Sequence, residues 1–165
     1  MKKIVVLILL GFQFNYGQEA WTSKNRILPD KLRGIATALI LTHSPNPNYP
    51  ELNPNKGPKY IWDHTTCIQP MLSNLEIVEV GSFIWTESQG WIQNMNLDAR
   101  AFKKRFKTKQ KLLLQNESYC YEKNIRYGNQ LFAGDALWYV LAKDEQGQLF
   151  KGIGIIETEG ELLKN

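Results

Sequence analysis

The most regular pattern of apolar and polar positions lies near the end of the chain. Residues Leu137–Ala142 form an unbroken apolar run of aromatic, branched and small side chains. Asp144–Gly147 then supplies turn residues, and Leu149–Ile156 returns as a second apolar stretch. A strand that is apolar on both faces is normally covered on both. The pattern therefore predicts a β-hairpin whose first strand lies at the centre of the core.

Two glycines in the returning strand bear on how this hairpin packs. With a four-residue loop, Gly152 and Gly154 lie opposite Tyr139 and Leu137; with a three-residue loop, Gly154 lies opposite Trp138. In either register a glycine leaves room beside a large side chain. We expect an aromatic ring to pack inward there, and a shallow groove is the alternative.

Four other segments predict strands. Residues 32–42 are apolar without clear periodicity, and their isoleucine and threonine content favours a buried strand over a helix. In residues 59–68, alternation places Tyr60, Trp62, His64 and Thr66 on one face. Residues 76–85 and 91–96 form a second predicted hairpin around a turn that ends in glycine.

One segment, residues 98–107, predicts a helix. Asp98 or Asn96 is a suitable N-cap, and Phe102 and Phe106 share one face at i,i+4 spacing. Together these elements predict an α+β fold that is mostly antiparallel β. We expect a sandwich or half-barrel of about six to eight strands with one short amphipathic helix.

The N-terminus has the form of an export signal. Lys2 and Lys3 precede the apolar run Ile4–Leu10, and a small residue follows at Gly17. The run is far below the ~20 residues of a membrane-spanning helix, so we expect no stable membrane insertion. The predicted organisation is a removed signal peptide over 1–17, a lead-in over 18–31 and one β-rich domain over 32–165. The mature protein is expected in the periplasm or outside the cell.

Charge argues against a general polyanion binder. The chain has 20 Lys and Arg against 16 Asp and Glu, a net of +4. Residues 1–17 hold two lysines and no acid, so the remainder carries 18 minus 16, or +2. Six cations fall within residues 103–111 and leave the rest of that chain near −4. We therefore expect no nucleic-acid partner, and only a local basic patch that includes Lys103, Lys104 and Lys107.

Cysteine and histidine are scarce. Cys67 and Cys120 are an even pair, which in an oxidising compartment predicts a disulfide; two buried thiols are the alternative. His64 and Cys67 project from opposite faces of the predicted strand, and the only other histidine is His43. We expect no metal site and no cofactor.

Aromatic side chains are the best indication of binding. Trp85 and Trp91 flank a hairpin turn, Tyr60 and Trp62 share a strand face, and Tyr49 lies within Ser44–Pro58. That segment holds five of the seven prolines and four asparagines, so it predicts a loop that is either functional or a disordered connector. Clustered exposed rings mark recognition surfaces, although the same rings could close a small core.

Paired carboxylates offer an enzymatic alternative. Glu157 and Glu159 alternate along the last strand, and Asp135 lies at the start of the neighbouring one. Glycoside hydrolysis uses two carboxyl groups roughly 5–10 Å apart, but charged strand ends more often lie in water.

The sequence favours an exported, non-catalytic binding domain. Its expected partner is a glycan or a protein, contacted by aromatic rings at hairpin tips and by the proline-rich loop. One alternative is a small secreted glycan hydrolase that uses Asp135, Glu157 and Glu159. Another is a periplasmic inhibitor or immunity-type protein that docks through its basic helix.

Overall fold

A computed structural model describes residues 26–163. Twelve strands lie within them, of which six have at least six residues. A 3-10 helix, Asp30–Leu32, precedes the strands, and the helix α1, Ala99–Arg105, lies among them. The strands are β1 (Ala36–Thr37), β2 (Leu39–Ser44), β3 (Glu51–Leu52), β4 (Tyr60–Trp62), β5 (Thr65–Pro70), β6 (Leu75–Thr86), β7 (Gly90–Asp98), β8 (Leu112–Leu113), β9 (Tyr119–Tyr121), β10 (Arg126–Gly128), β11 (Gly134–Lys143) and β12 (Leu149–Thr158).

The large sheet is a curled half-barrel. Its five strands follow the order β1-β12-β11-β6-β7, and β8 pairs with the end of β6. Two small sheets, β2-β5-β9 and β10-β4-β3, complete the β structure. All pairings between the named strands are antiparallel except that of β1 with β12. The α+β prediction, mostly antiparallel with one short helix, is confirmed.

The central strand is β11, and both of its faces are covered. Trp138 and Val140 point into the inner core, which the large sheet forms with β2, β5 and α1. Leu137 and Tyr139 point into an outer core, where Leu32 of the 3-10 helix covers them. Both sets are at most 1% exposed. The long apolar run thus forms a central strand because side chains meet it from two sides.

The register of this hairpin explains its two glycines. Trp138 lies opposite Gly154, the register that a three-residue loop predicts. A Cβ atom on Gly154 would lie 2.6 Å from the carbonyl oxygen of Leu41, and one on Gly152 would lie 2.8 Å from that of Leu39. The space beside the glycines is therefore filled by the backbone of β2. Trp138 does pack inward, as expected, at 1% exposure.

The other predicted strands are also present. Residues 32–42, which the sequence left ambiguous between strand and helix, contain the end of the 3-10 helix followed by β1 and β2. The predicted hairpin of residues 76–96 is β6 with β7. The predicted strand over 59–68 divides at residues 63–64 into β4 and β5, which belong to different sheets, although its alternating burial persists.

The predicted helix is α1, and it begins where expected. Asp98 Oδ1 accepts a hydrogen bond from Ala101 N at 2.7 Å, the geometry of an N-cap. Phe102 and Phe106 stack at 4.5 Å between ring centroids and are buried in the inner core.

Cys67 and Cys120 face each other across β5 and β9. Their Cα atoms are 4.1 Å apart and their sulfur atoms lie at disulfide distance. The pair links two strands that are 53 residues apart in sequence.

The predicted signal peptide, residues 1–17, lies outside the described residues, as does the lead-in up to residue 25. Within residues 26–163 no helix has the length and apolar character needed to cross a membrane. From residue 26 onward the lead-in runs along the outer core, where Leu28 packs beside Leu32.

Candidate binding site

The proline-rich loop is fastened to the edge of β12. Asn46 Nδ2 donates to the Ile155 carbonyl at 2.9 Å, and Asn46 Oδ1 accepts from Glu157 N at 2.9 Å. The backbone of Asn48 bonds to Glu157 O and Glu159 N at 2.8 and 2.9 Å. Two asparagines therefore pair with backbone groups at the free edge of β12. The neighbouring prolines lack an N–H and could not form a continuous ladder there. The loop is an ordered part of the fold.

This loop forms one side of a concave surface, here called the proline-loop pocket, with a volume of about 490 Å³. The C-terminal segment forms the other side. The pocket is lined by Pro45, Pro47, Asn48, Tyr49, Pro50, Glu51, Leu52, Asp63, Leu162 and Leu163.

The lining combines exposed apolar groups with acidic ones. Leu52 is 61% exposed and Leu163 64%, and Tyr49 in the same lining is half-buried. Glu51 and Asp63 are exposed, and neither has a cation within ion-pair distance among residues 26–163. Among residues 26–163, no lysine or arginine lines the pocket. A protein with a positive net charge thus carries a concave surface that is apolar and negative.

A buried polar network supports the floor of this pocket. Asn48 is 2% exposed and contacts His64 Nδ1 through its Nδ2 at 3.2 Å. His43 Nδ1 contacts Thr66 Oγ1 at 3.0 Å, and the same oxygen accepts from Asn124 Nδ2 at 2.9 Å. The two histidine rings lie 5.6 Å apart between centroids. The network fixes the position of the loop relative to β4 and β5.

Burial keeps both histidines neutral. It lowers the pKa of His43 to about 4, with Arg126 adding to the shift and the backbone of Gly154 opposing it. It lowers the pKa of His64 to about 3, with His43 and then Arg126 adding to the shift. The charged form is disfavoured because water is excluded and a guanidinium lies nearby.

Of the five aromatic residues predicted to bind, Tyr49 lines this pocket. Tyr60 and Trp62 do not reach a surface: Trp62 is fully buried and Tyr60 is 9% exposed. Trp62 Nε1 donates to the Glu159 carbonyl at 2.9 Å, and its ring lies 4.1 Å from that of Phe132. Alternation correctly placed the two on one face, but that face belongs to the core.

Trp85 and Trp91 are partners across the β6–β7 hairpin and lie edge to face at 5.1 Å. The guanidinium of Arg26 lies over both rings, 4.7 and 5.6 Å from their centroids. The same guanidinium forms an ion pair with Asp135. The lead-in segment therefore covers part of both rings, and the two half-buried tryptophans line a shallow concave surface with it.

The predicted carboxylates come together only in part. Asp135 and Glu157 are cross-strand partners and share one face. Asp135 is engaged by Arg26, and Glu157 is exposed. Glu159 follows the end of β12, and its backbone carries the Trp62 and Asn48 hydrogen bonds.

The basic patch is a solvated face of α1 and the turn after it. Lys104 and Lys107 are exposed and Lys103 is half-buried. Lys107 forms an ion pair with Glu122 at 2.9 Å. In the part of the chain that the structure describes, no three His, Cys, Asp or Glu side chains group as a metal site would require.

The sequence reading missed three contributors to the site. Leu162 and Leu163 carry no motif and reach the pocket only because the chain turns back after β12. Asn48 lies in a segment whose asparagines predicted turns, whereas its side chain is buried against His64. The contact between His43 and His64 depends on two strands that no local pattern pairs.

No protein-family model, curated protein or solved structure matches the chain, so the function is argued from its geometry.

Proposed function

We propose that the protein is an exported, non-catalytic binding domain that docks a segment of a protein partner in the proline-loop pocket. The segment presents basic and aliphatic side chains. The observation that carries the proposal is the composition of the pocket on a protein of positive net charge: it has exposed apolar walls and two carboxylates without an ion-pair partner among residues 26–163.

The rigidity of the loop supports binding by a preformed surface. Asn46 and Asn48 hold the loop to β12 through four hydrogen bonds. Prolines restrict the remaining backbone freedom. A surface that is already ordered loses little conformational entropy when a partner docks, so more of the contact energy remains as affinity.

The acidic rim supports a basic partner. Glu51 and Asp63 lie at the edge of apolar walls and have no internal counter-ion among the described residues. Opposite charge on a partner speeds encounter and sets orientation, while burial of leucine and tyrosine surface supplies the affinity.

A protein partner is favoured over a glycan because the candidate stacking rings are engaged within the fold. Tyr60 and Trp62 are in the core, and Arg26 lies over Trp85 and Trp91. Hydrolysis is not favoured, because Asp135 is held by Arg26 and Glu157 is exposed to water.

The proposal is tested with a capped octapeptide of sequence Gly-Ser-Lys-Leu-Lys-Leu-Gly-Ser. Titration followed by NMR is expected to shift the resonances of Tyr49 and Leu163, and the double variant Glu51→Gln, Asp63→Asn to raise Kd by about three- to tenfold. Binding by the wild type is expected to weaken as salt is added.

The matched control, Glu87→Gln with Glu122→Gln, removes two exposed carboxylates elsewhere and is expected to keep the wild-type Kd. A second peptide with glutamate in place of lysine is expected not to bind. Shifts confined to the basic helix, or equal Kd values for wild type and the Glu51, Asp63 variant, would overturn the proposal.

A further inference from the structure

Arg126 is the most unusual charged residue in the inner part of the fold. It lies in β10 opposite Trp62, and its guanidinium lies 5.7 Å from the ring centroid of Trp138. Its Nη1 donates to Asn124 Oδ1 at 2.9 Å and to the Ile125 carbonyl at 3.4 Å. Neutral groups therefore hold the guanidinium in a defined position beside a central tryptophan.

Arg126 has no carboxylate within ion-pair distance in the stretch from residue 26 to 163. Burial lowers the pKa of Arg126, the Tyr121 hydroxyl opposes that shift, and Arg105 adds to it to a smaller extent. The guanidinium nevertheless stays protonated. A half-buried positive charge without a counter-ion is costly for a fold, and its retention is typical of an anion site.

Arg126 also lines a cavity of about 300 Å³ at the end of the half-barrel. Ile84 and Ala136 are cross-strand partners that line it on the inner face of the large sheet, and Phe132 stands 45% exposed at its edge. Asn94 and Thr158 add polar groups to the lining. Among residues 26–163, Arg126 is thus the one cation that lines this small, largely apolar concavity.

The buried polar network extends behind Arg126. Asn124 is fully buried and joins the guanidinium to Thr66, which contacts His43. His64 is 4% exposed, and its Nε2 has no hydrogen-bond partner within the described residues. Natural folds leave few buried polar atoms unpaired, and those that remain call for an explanation.

We propose that the mouth of the half-barrel is a second ligand site, which binds a small organic monoanion through Arg126. The ligand class is a carboxylate with an aryl or short alkyl body. The carboxylate pairs with the guanidinium, and the body packs against Ile84, Ala136 and Phe132.

Size and charge select this class. The cavity lies at the small end of ligand pockets, which span roughly 300–1,000 Å³. A single guanidinium matches one carboxylate in bidentate geometry. Asp135, the acidic group in the lining, is paired with Arg26, which reduces its repulsion of a monoanion. Among the described residues the lining holds no second cation that would favour a dianion.

The test uses benzoate and hexanoate, with inorganic phosphate as the third probe. Benzoate is expected to shift the indole NH resonance of Trp138 in a saturable manner. The variant Arg126→Gln is expected to weaken binding by at least about tenfold, because a charge-assisted hydrogen bond is lost. Arg126→Lys keeps the positive charge but loses the bidentate donor geometry, so its benzoate Kd is expected to lie between those of the wild type and Arg126→Gln.

The matched control is Arg100→Gln, an exposed arginine on α1, which is expected to leave the benzoate Kd unchanged. The result that overturns the proposal is a Trp138 indole resonance that benzoate and hexanoate both leave in place. Because that measurement uses the wild type, it decides the question even where Arg126→Gln fails to fold. Tighter binding of phosphate than of benzoate would also contradict the stated ligand class.

Discussion

At the scale of single residues, the buried network around His43 and His64 separates this protein from a simple apolar half-barrel. Its donors and acceptors are distributed over β2, β5, the proline-rich loop and the segment before β10. Each pairing joins residues that are distant in sequence. The histidines remain neutral because burial outweighs the other influences on their pKa values.

The lowered histidine pKa values predict acid sensitivity. The unfolded chain binds protons near pH 6.5, whereas the folded chain takes them up only near pH 4 and pH 3. The stability that neutral burial contributes is therefore complete above pH 6.5 and is lost as the pH falls. Between pH 7 and pH 4 we expect each histidine to account for roughly 1–3 kcal/mol of lost unfolding free energy.

Urea denaturation of wild type and His64→Gln at pH 7, 5 and 4 measures this contribution. The variant is expected to lose less stability on acidification than the wild type. Thr66→Val is the control, because it disturbs the same network without removing a titrating group, and its pH profile should parallel that of the wild type. Parallel profiles for all three proteins would contradict the assignment.

At the scale of elements, the contact of β2 with β12 depends on two missing side chains. Leu39 and Leu41 bring their backbone against Gly152 and Gly154 without a ladder of hydrogen bonds between the strands. This approach closes the inner core over the central hairpin. Glycine is therefore required at positions 152 and 154 by the close approach of β2, a strand more than 100 residues away in sequence.

Gly154→Ala is expected to destabilise the fold. The added Cβ would lie 2.6 Å from a backbone oxygen of β2, which cannot turn aside as a flexible side chain could. We expect a loss of about 1–3 kcal/mol of unfolding free energy, after any gain from a stiffer unfolded chain.

Guanidinium denaturation measures the change, with Ile155→Val on the exposed side of β12 as the control. The control is expected to change stability by less than about 0.5 kcal/mol. A Gly154→Ala protein as stable as the wild type would show that the backbone of β2 does not pack closely against β12 at this position.

At the scale of the whole molecule, the sequence predicts an N-terminal export signal ahead of a β-rich body in which one cysteine pair links β5 to β9. Lys2 and Lys3 with Ile4–Leu10 predict export, and the paired cysteines suit an oxidising compartment. The two observations are independent, since one lies in the first residues and the other depends on the pairing of β5 with β9.

Production of the full chain in bacteria tests export directly. Mass spectrometry is expected to find a mature protein that begins near residue 18, with Cys67 and Cys120 resistant to thiol labelling until a reductant is added. A chain lacking residues 1–17 is the control, and both of its thiols are expected to label in freshly lysed cells. Recovery of the intact chain inside the cell with reactive thiols would refute export.

The local patterns in the sequence were sufficient for much of the fold. Two apolar runs around a glycine-containing turn predicted the β11–β12 hairpin, and Asp98 with Phe102 and Phe106 predicted α1. These elements follow from side-chain periodicity, turn chemistry and capping, which act within about ten residues. Burial alternation in residues 59–68 was also correct, because it depends only on the geometry of extended chain.

Only the tertiary structure decided which of the predicted site residues meet. It placed Trp62 in the core and Tyr49 at a surface, although both are aromatic residues in strand or loop segments. It brought Arg26 over Trp85 and Asn48 against His64. These contacts arise from the curl of the large sheet and from the path of the connecting segments, and neither is encoded in a periodic pattern. The amino-acid sequence determined the elements through local periodicity, turns and capping. Long-range packing determined the proline-loop pocket and the position of Arg126 at the half-barrel cavity.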